Sequence, residues 1–371
     1  MASASFSAVS SLSYQFRSKE AIFSSKASCF SSTALSGRRV FGSIKAAQVT
    51  SHENPRRRTQ NVEGDIFVDN TCIDCDTCRW MVPPIRKQLF SDLSSQDLFT
   101  RVDNMSAVTK QPTCKEERLN ALQALLSCPT GSIRTQTPPA DIGEAQETFP
   151  LVVDKDTLPV LFNPLSFHFF RMVINNPRYV EKLAGKIEMK GGVRYMFLTH
   201  RDDVADHKKW ADRFKSTRIL HSDDVEPSTS DVELKLEGSG PWSIYEDVEL
   251  IHTPGHSEVS LSNCKNIHKN KCSIFGSVCM FHKSLKALFT GDHVIMTESG
   301  LSILEQYNHG SVPLQLENVE KLINLDFNWL IPGHGRRVHF KDGDEKAKNL
   351  EALVQKHREK QLVSFSKSGK A

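Results

Sequence analysis

The stretch "VRYMFLTHRDDVADHKKW", residues 193–210, joins an apolar segment to a dense group of polar side chains. The apolar run at 193–198 predicts a buried strand, because short apolar runs bounded by polar residues are typical of strands in a sheet. The polar residues that follow the strand are Thr199, His200, Asp202, Asp206 and His207. Imidazoles and carboxylates bind divalent metals. The stretch is therefore either a metal-binding loop or the polar start of a helix that contains histidines.

Three later segments repeat this arrangement of a strand followed by a polar loop. They are "VELIHTPGHS" (248–257), "LKALFTGDHV" (285–294) and "NWLIPGHG" (328–335), and they supply His256, Asp292 and His334. Short apolar strands alternate here with amphipathic helices, which predicts an α/β domain over 149–360. Polar side chains at strand ends are where α/β proteins usually build their sites.

The four segments together resemble the metallo-β-lactamase superfamily over about 149–340, and the glyoxalase-II-like branch is nearest in motif style. The resemblance implies an αββα sandwich with a metal centre, in which Asp292 bridges two ions. The family motif has a second histidine at the position that Asp202 occupies here. The motif is two residues longer in this sequence, so Asp203 is an alternative ligand at that position. The metal ligands that the resemblance implies are His200, Asp202, Asp206, His207, His256, Asp292 and His334, with Asp206 and His207 also predicted to be catalytic.

The expected activity is metal-dependent hydrolysis of a small ester or thioester, with one or two Zn²⁺ or Fe²⁺ ions. A carboxylate in place of an imidazole also makes manganese a candidate. One alternative is a mononuclear iron oxygenase of the persulfide dioxygenase type, in which His200, His256 and Asp292 hold a single Fe²⁺. A second alternative is a non-catalytic iron–sulfur protein that transfers electrons or binds a partner. The expected partners are accordingly a small-molecule substrate and, in the redox cases, an electron-transfer protein.

A separate cysteine motif lies upstream, in "TCIDCDTCRWMVPP" (71–84), where two residues separate Cys72 from Cys75 and Cys75 from Cys78. Such spacing lets successive thiolates surround one inorganic core. A fourth cysteine precedes a proline in "LLSCPTGSI" (125–133), at Cys128. Over 64–136 the sequence resembles a single-cluster bacterial-type [4Fe-4S] ferredoxin, a small α+β domain. The resemblance implies that these four cysteines hold one [4Fe-4S] cluster, and a four-cysteine zinc site is the competing interpretation.

The N-terminal segment 1–47 is rich in Ser and Ala and carries six Lys or Arg residues and one acid. This composition is typical of an organelle transit peptide, here for the chloroplast stroma. The segment carries a net charge of +5, whereas the whole chain carries +3. The remainder is therefore near −2 and has no electrostatic bias toward nucleic acid. No apolar run reaches the roughly 20 residues that span a bilayer, so no membrane partner is expected. Residues 48–63 are predicted to be a linker with a solvated "RRR" at 56–58.

Two departures from the family pattern stand out in the second domain. The polar segment "VSLSNCKNIHKNKCSIF" (259–275) interrupts a family motif and is interpreted as a surface loop or a translated intron. A second metal site at Cys264, His268 and Cys272 is disfavoured because the segment is aperiodic. The opening hairpin, 149–175, looks short, and lost core strands would cost several kcal/mol of stability.

Overall fold

The computed structural model describes residues 56–81, 97–154, 156, 158, 160–163, 166–169, 172–174, 179–257 and 276–368. The predicted transit peptide, the first part of the predicted linker and the 259–275 segment lie outside these residues, and so do Cys29, Cys264, His268 and Cys272. None of the described helices combines the length and apolar character that a membrane crossing requires.

The cysteine block, defined as 56–81 with 97–135, is a small α+β unit. Its strands pair antiparallel, β1 with β4 and β2 with β3. Its elements are β1 (Ile66–Val68), α1 (Thr77–Met81), β2 (Phe99–Val102), β3 (Met105–Val108), α2 (Lys115–Ser127) and β4 (Ile133–Thr135). Helix α2 covers the leucine-rich stretch that precedes Cys128, and Glu116 and Glu117 in its first turn complement the helix dipole. A short helix, α3 (Ile142–Thr148), leads to the second domain.

The predicted linker is folded where the structure describes it. Arg58 is only 6% exposed, and its guanidinium donates to the carbonyls of Ser106 and Val102. Asn61 accepts hydrogen bonds from the backbone amides of Val68 and Val108. The interpretation of "RRR" as a solvated run is therefore wrong for Arg58, because its buried guanidinium donates to carbonyl groups of the folded block.

The second domain, called the sandwich (151–368), begins with a seven-stranded sheet in the order β11-β10-β9-β8-β7-β6-β5. Its strands are β5 (Leu151–Val152), β6 (Leu161–Asn163), β7 (Ser166–Phe169), β8 (Met172–Ile174), β9 (Tyr195–Phe197), β10 (Thr217–His221) and β11 (Leu234–Leu236). Pairing is antiparallel from β5 to β8 and parallel from β8 to β11. The opening segment, which looks short beside the family pattern, contributes four short strands.

A six-stranded sheet in the order β12-β13-β14-β15-β18-β19 forms the other half, beside a separate β16-β17 hairpin. Its strands and those of the hairpin are β12 (Trp242–Tyr245), β13 (Val248–His252), β14 (Val278–His282), β15 (Ala287–Gly291), β16 (Ile295–Thr297), β17 (Gly300–Ser302), β18 (Trp329–Pro332) and β19 (Val338–His339). Four helices accompany the two sheets, namely α4 (Glu181–Met189), α5 (His207–Phe214), α6 (Val312–Leu322) and α7 (Gly343–Ser368).

Alternation along β14 shows how the layers stack. Met280 packs into the core that contains Phe197 of the first sheet, whereas Phe281 packs into a second core with Leu316 of α6 and Leu353 of α7. Successive side chains of a strand point to opposite faces, so the second sheet lies between the first sheet and these two helices. Helix α5 contacts β10 of the first sheet. The arrangement is the αββα sandwich that the sequence predicts.

Candidate metal centre and cysteine site

The loops after β9, β13, β15 and β18 bring His200, His256, Asp292 and His334 together. Donor atoms of His200, His256 and Asp292 all lie within 4.8 Å of one another. Asp292 Oδ2 is 3.7 Å from His200 Nε2 and 3.9 Å from His256 Nε2. Asp292 Oδ1 is 3.4 Å from His334 Nε2. Ligands about 2.1 Å from a tetrahedral ion lie roughly 3.4 Å apart, so His200, His256 and Asp292 fit one divalent cation, and His334 contacts the other carboxylate oxygen of Asp292.

The loop that carries His256 is held by the segment before α6. Gly255 has φ +126°, and a Cβ there would lie 2.4 Å from the backbone nitrogen of Gln315. The Gly255 carbonyl accepts from Asn308 Nδ2 at 2.8 Å, and the His256 carbonyl accepts from the amides of His309 and Gly310 at 3.1 Å each. Only glycine tolerates such a backbone at such close approach, so the imidazole position is set by packing.

Hydrogen bonding and charge prepare these residues for a cation. The Thr199 hydroxyl lies 3.0 Å from His200 Nδ1, which leaves Nε2 for the carboxylates. Burial, reinforced by His200, lowers the pKa of His256 to about 4, so its imidazole is neutral near pH 7. Burial alone would raise the pKa of Asp292, but the surrounding imidazoles, His334 foremost, hold it below its usual range. A neutral imidazole at His256 beside an ionised carboxylate at Asp292 is the protonation state that metal binding requires.

The remaining predicted ligands occupy other places. Asp202 Oδ2 lies 3.8 Å from His200 Nε2, with half of its side chain exposed, so it stands at the rim of the cluster. Asp206 accepts a hydrogen bond from the Tyr179 amide at 2.9 Å and pairs with Lys209 Nζ at 2.7 Å.

His207 lies on the buried face of α5. Its Nδ1 is 3.1 Å from Arg218 Nη1, and the ring also bonds the Ser228 backbone. Since a guanidinium only donates, Nδ1 accepts and the other ring nitrogen is occupied by Ser228. The two-residue expansion of the motif places Asp206 and His207 at a helix start with partners of their own, so we leave both out of the metal centre proposed below.

Sequence reasoning missed residues that support the centre from a distance along the chain. Asp224 is fully buried beside His200 and Arg201, and Arg201 Nε donates to its carboxylate at 3.2 Å. Gly276 leaves room for that carboxylate, because a Cβ there would be 2.5 Å from Asp224 Cγ. His309 is exposed beside His256. In the sequence, Asp224 was indicated only by "HSDDV" after a strand, and His309 only by "NHGS" before a helix.

All four predicted cluster cysteines line one cavity of the cysteine block, together with Ser106, Thr77 and Ser132. Asp74 and Asp76 adopt left-handed φ values of 55° and 69°, which curl the loop between the cysteines. Backbone amides donate to sulfur on two sides, from Asp74 to Cys72 at 3.5 Å and from Ser132 to Cys128 at 3.3 Å.

The electrostatics of this cavity favour a cationic core. Burial, with the neighbouring thiol of Cys128, raises the pKa of Cys75 to about 12, and burial likewise raises the pKa of Cys78. Buried thiols such as Cys75 and Cys78 ionise when a metal neutralises them, and with Cys72 and Cys128 in the same cavity the donor set fits an iron–sulfur cluster. Cys114 is exposed and caps α2, with its sulfur accepting from the Glu117 amide at 3.5 Å.

Comparison with known proteins addresses the two parts separately. Residues 94–135 match the family model of the 4Fe-4S single cluster domain of Ferredoxin I, a range that contains Cys128 and begins after Cys78. The comparison with curated proteins gave no match.

Three solved structures similar to the chain are named for an enzyme activity or for a bound metal. The metallo-β-lactamase from Pontibacter korlensis has 14% identity and a TM-score of 0.37, over 52% of this chain and 85% of that one. The mono-zinc form of FIM-1 from Pseudomonas aeruginosa has 11% identity and a TM-score of 0.35, over 53% and 83%. TTHA1623 in a di-iron-bound form has 15% identity and a TM-score of 0.38, over 54% and 98%.

Scores this low do not bear on activity or metal, and the fold rests on the layer order and strand pairing given above. The protein thus combines a segment matching a single-cluster 4Fe-4S ferredoxin domain with an αββα sandwich, the architecture that the resemblance to the metallo-β-lactamase superfamily implies.

Proposed function

We propose that the sandwich is a metal-dependent hydrolase that uses one divalent cation to cleave a small ester or thioester. The observation that carries this proposal is the gathering of His200, His256, Asp292 and His334, from four separate loops, to N···O distances of 3.4–3.9 Å. A single ion is proposed because Asp206 and His207, which the family resemblance includes among the ligands, have other partners.

When bound, such a cation polarises a substrate carbonyl and lowers the pKa of water to about 7. The protein's own groups supply the rest. Thr199 fixes the ring of His200 through Nδ1, and the loop at 308–311 fixes His256. Asp202, at the rim, is placed to accept the proton that water loses on attacking the carbonyl. His309, exposed beside His256, is placed to contact the leaving group.

A second candidate function rests on the tightest part of the same site. His200, His256 and Asp292 by themselves form a two-histidine, one-carboxylate face, which is the ligand set of mononuclear Fe²⁺ oxygenases. In this case His334 orients Asp292, and the activity is oxygen-dependent oxidation of a sulfur substrate.

The test uses the full chain purified without oxygen. Iron, sulfide and zinc are measured per chain, and thioester turnover is assayed with and without O₂. The proposal expects one metal ion per chain beyond the cluster iron, and turnover that does not depend on oxygen. His256→Ala is expected to lose both. His339→Ala, a control at an exposed histidine of β19, is expected to keep both. Oxygen uptake with one extra iron would instead support the second candidate, and metal content unchanged in His256→Ala would contradict both.

A further inference from the structure

The residues that follow His334 are held by the cysteine motif of the other domain. The Gly335 amide donates to Thr77 Oγ1 at 3.1 Å. A Cβ at Gly335 would lie 2.9 Å from the Cys75 carbonyl oxygen and 2.6 Å from that of Met296. The ligand loop therefore rests directly on the cysteine loop, defined as 72–78, with no room for a side chain between them.

Two further contacts extend this interface along the same loop. The Arg336 guanidinium bonds the carboxylate of Asp76, which is buried and also pairs with Arg79 at 2.6 Å. The next residue, Arg337, lies over the ring of Trp80 at 4.1 Å from its centroid. Three consecutive residues after His334 thus each contact α1 or the residue before it. A buried charge pair and a cation–π contact of this kind fix orientation strongly.

Thr77 joins the two sites through one hydroxyl. With Cys75 as a thiol, its Sγ donates to Thr77 Oγ1 at 3.3 Å, so the sulfur and the Gly335 amide both donate to the same oxygen. A cluster-bound sulfur carries no proton. The hydroxyl, which has one donor and two acceptor positions, then donates to sulfur while it still accepts from Gly335. A cluster at the cysteine site thereby fixes the orientation of the Thr77 hydroxyl, which accepts the hydrogen bond from Gly335 in the His334 loop.

We propose that the cysteine loop is a positioning element of the metal centre, so that cation binding by His334 and its neighbours depends on an occupied iron–sulfur site through Thr77. This inference rests on the metal centre of the proposed function. It makes Thr77 a positioning residue, since it acts through Gly335 on His334. By linkage the dependence is reciprocal, and a cation at the histidine centre retains the cluster by the same factor.

The first test is a Co²⁺ titration of the cluster-loaded full chain, followed by the visible absorption of bound cobalt. Thr77→Val removes the hydroxyl at constant shape and is expected to weaken Co²⁺ binding about tenfold, the size usual for losing a partner that orients a ligand. Thr77→Ser restores the hydroxyl and is expected to bind like the wild type. The control is Thr100→Val, which removes an exposed hydroxyl 2.7 Å from Thr109 Oγ1 elsewhere in the cysteine block.

A second measurement covers the case in which Thr77→Val assembles no cluster. Release of iron from wild-type protein at equilibrium with a ferrous chelator is measured with and without Zn²⁺, and Zn²⁺ is expected to raise the chelator concentration needed for half-removal about tenfold. Equal Co²⁺ affinity in Thr77→Val and wild type, or equal iron release with and without Zn²⁺, overturns the coupling and leaves the metal centre intact. Absence of any cobalt spectrum in the wild type overturns the metal centre itself.

Discussion

Replacing Gly255 by alanine tests whether packing sets the position of His256. The residue has φ +126°, a region essentially reserved for glycine, in which another residue costs about 1–3 kcal/mol. The new Cβ would also stand 2.4 Å from Gln315 N and 2.6 Å from Gln315 Cα. Overpacking against backbone adds about 1–3 kcal/mol. Retreat of the loop is opposed by the hydrogen bonds that the Gly255 carbonyl accepts from Asn308 and Ser311 at 2.8 Å each.

The expected outcome is a loss of about 2–6 kcal/mol in the free energy of unfolding, or about 4–12 °C in Tm at roughly 2 °C per kcal/mol. Where the loop moves instead, His256 leaves Asp292 and Co²⁺ affinity falls. Gly185→Ala is the matched control. It lies inside α4 with nothing within 4 Å of its Cβ, and is expected to stabilise the fold by about 0.5–1 kcal/mol through helix propensity. Stability and Co²⁺ affinity of Gly255→Ala both equal to wild type would refute this account of the site.

The other predictions concern the ligand set and the pH dependence of folding. His334→Ala is expected to weaken Co²⁺ binding more than about 100-fold, beyond the usual cost of losing an orienting partner. His207→Ala is expected to lower Tm and leave Co²⁺ affinity unchanged. A larger loss of Co²⁺ affinity in His207→Ala than in His334→Ala would make His207 a metal ligand. Burial by itself would raise the pKa of Glu117, but hydrogen bonds from Lys110 and Thr113 lower that pKa to about 2. Its contribution, about 1–2 kcal/mol after screening, is therefore complete above its unfolded pKa of 4.5 and lost as pH falls toward 2. Urea unfolding of Glu117→Gln should show a smaller loss of stability than wild type over that window, and parallel curves would contradict the assignment.

The sequence predicted the parts of the site that depend on local pattern. Each strand that ends at a metal-centre residue was recognisable by its apolar run, and Gly or Thr beside the ligand indicated a tight loop. The same reasoning did not foresee the partners of Asp206 and His207, because matching by motif order ignores what an inserted pair of residues does to a helix start. There the side chains turned toward Tyr179 and Arg218.

Burial of Arg58 was equally out of reach for local reasoning. Its acceptors, Ser106 and Val102, lie 48 and 44 residues away, and three consecutive arginines in a polar segment are usually solvated. A charge run therefore indicates exposure only where no folded neighbour offers carbonyl groups to it.

The contact between Thr77 and Gly335 is the extreme case, since 258 residues separate the two. Sequence pattern treated the cysteine motif and the histidine loops as sites of two independent domains. In the structure the hydroxyl of Thr77 contacts both the sulfur of Cys75 and the amide of Gly335 beside His334. A hydroxyl that must serve two partners has one arrangement that satisfies both. The charge state of the cysteine site therefore selects the hydrogen-bond pattern under the histidine loop, and a fusion of two common modules acquires a dependence that neither module's motif contains.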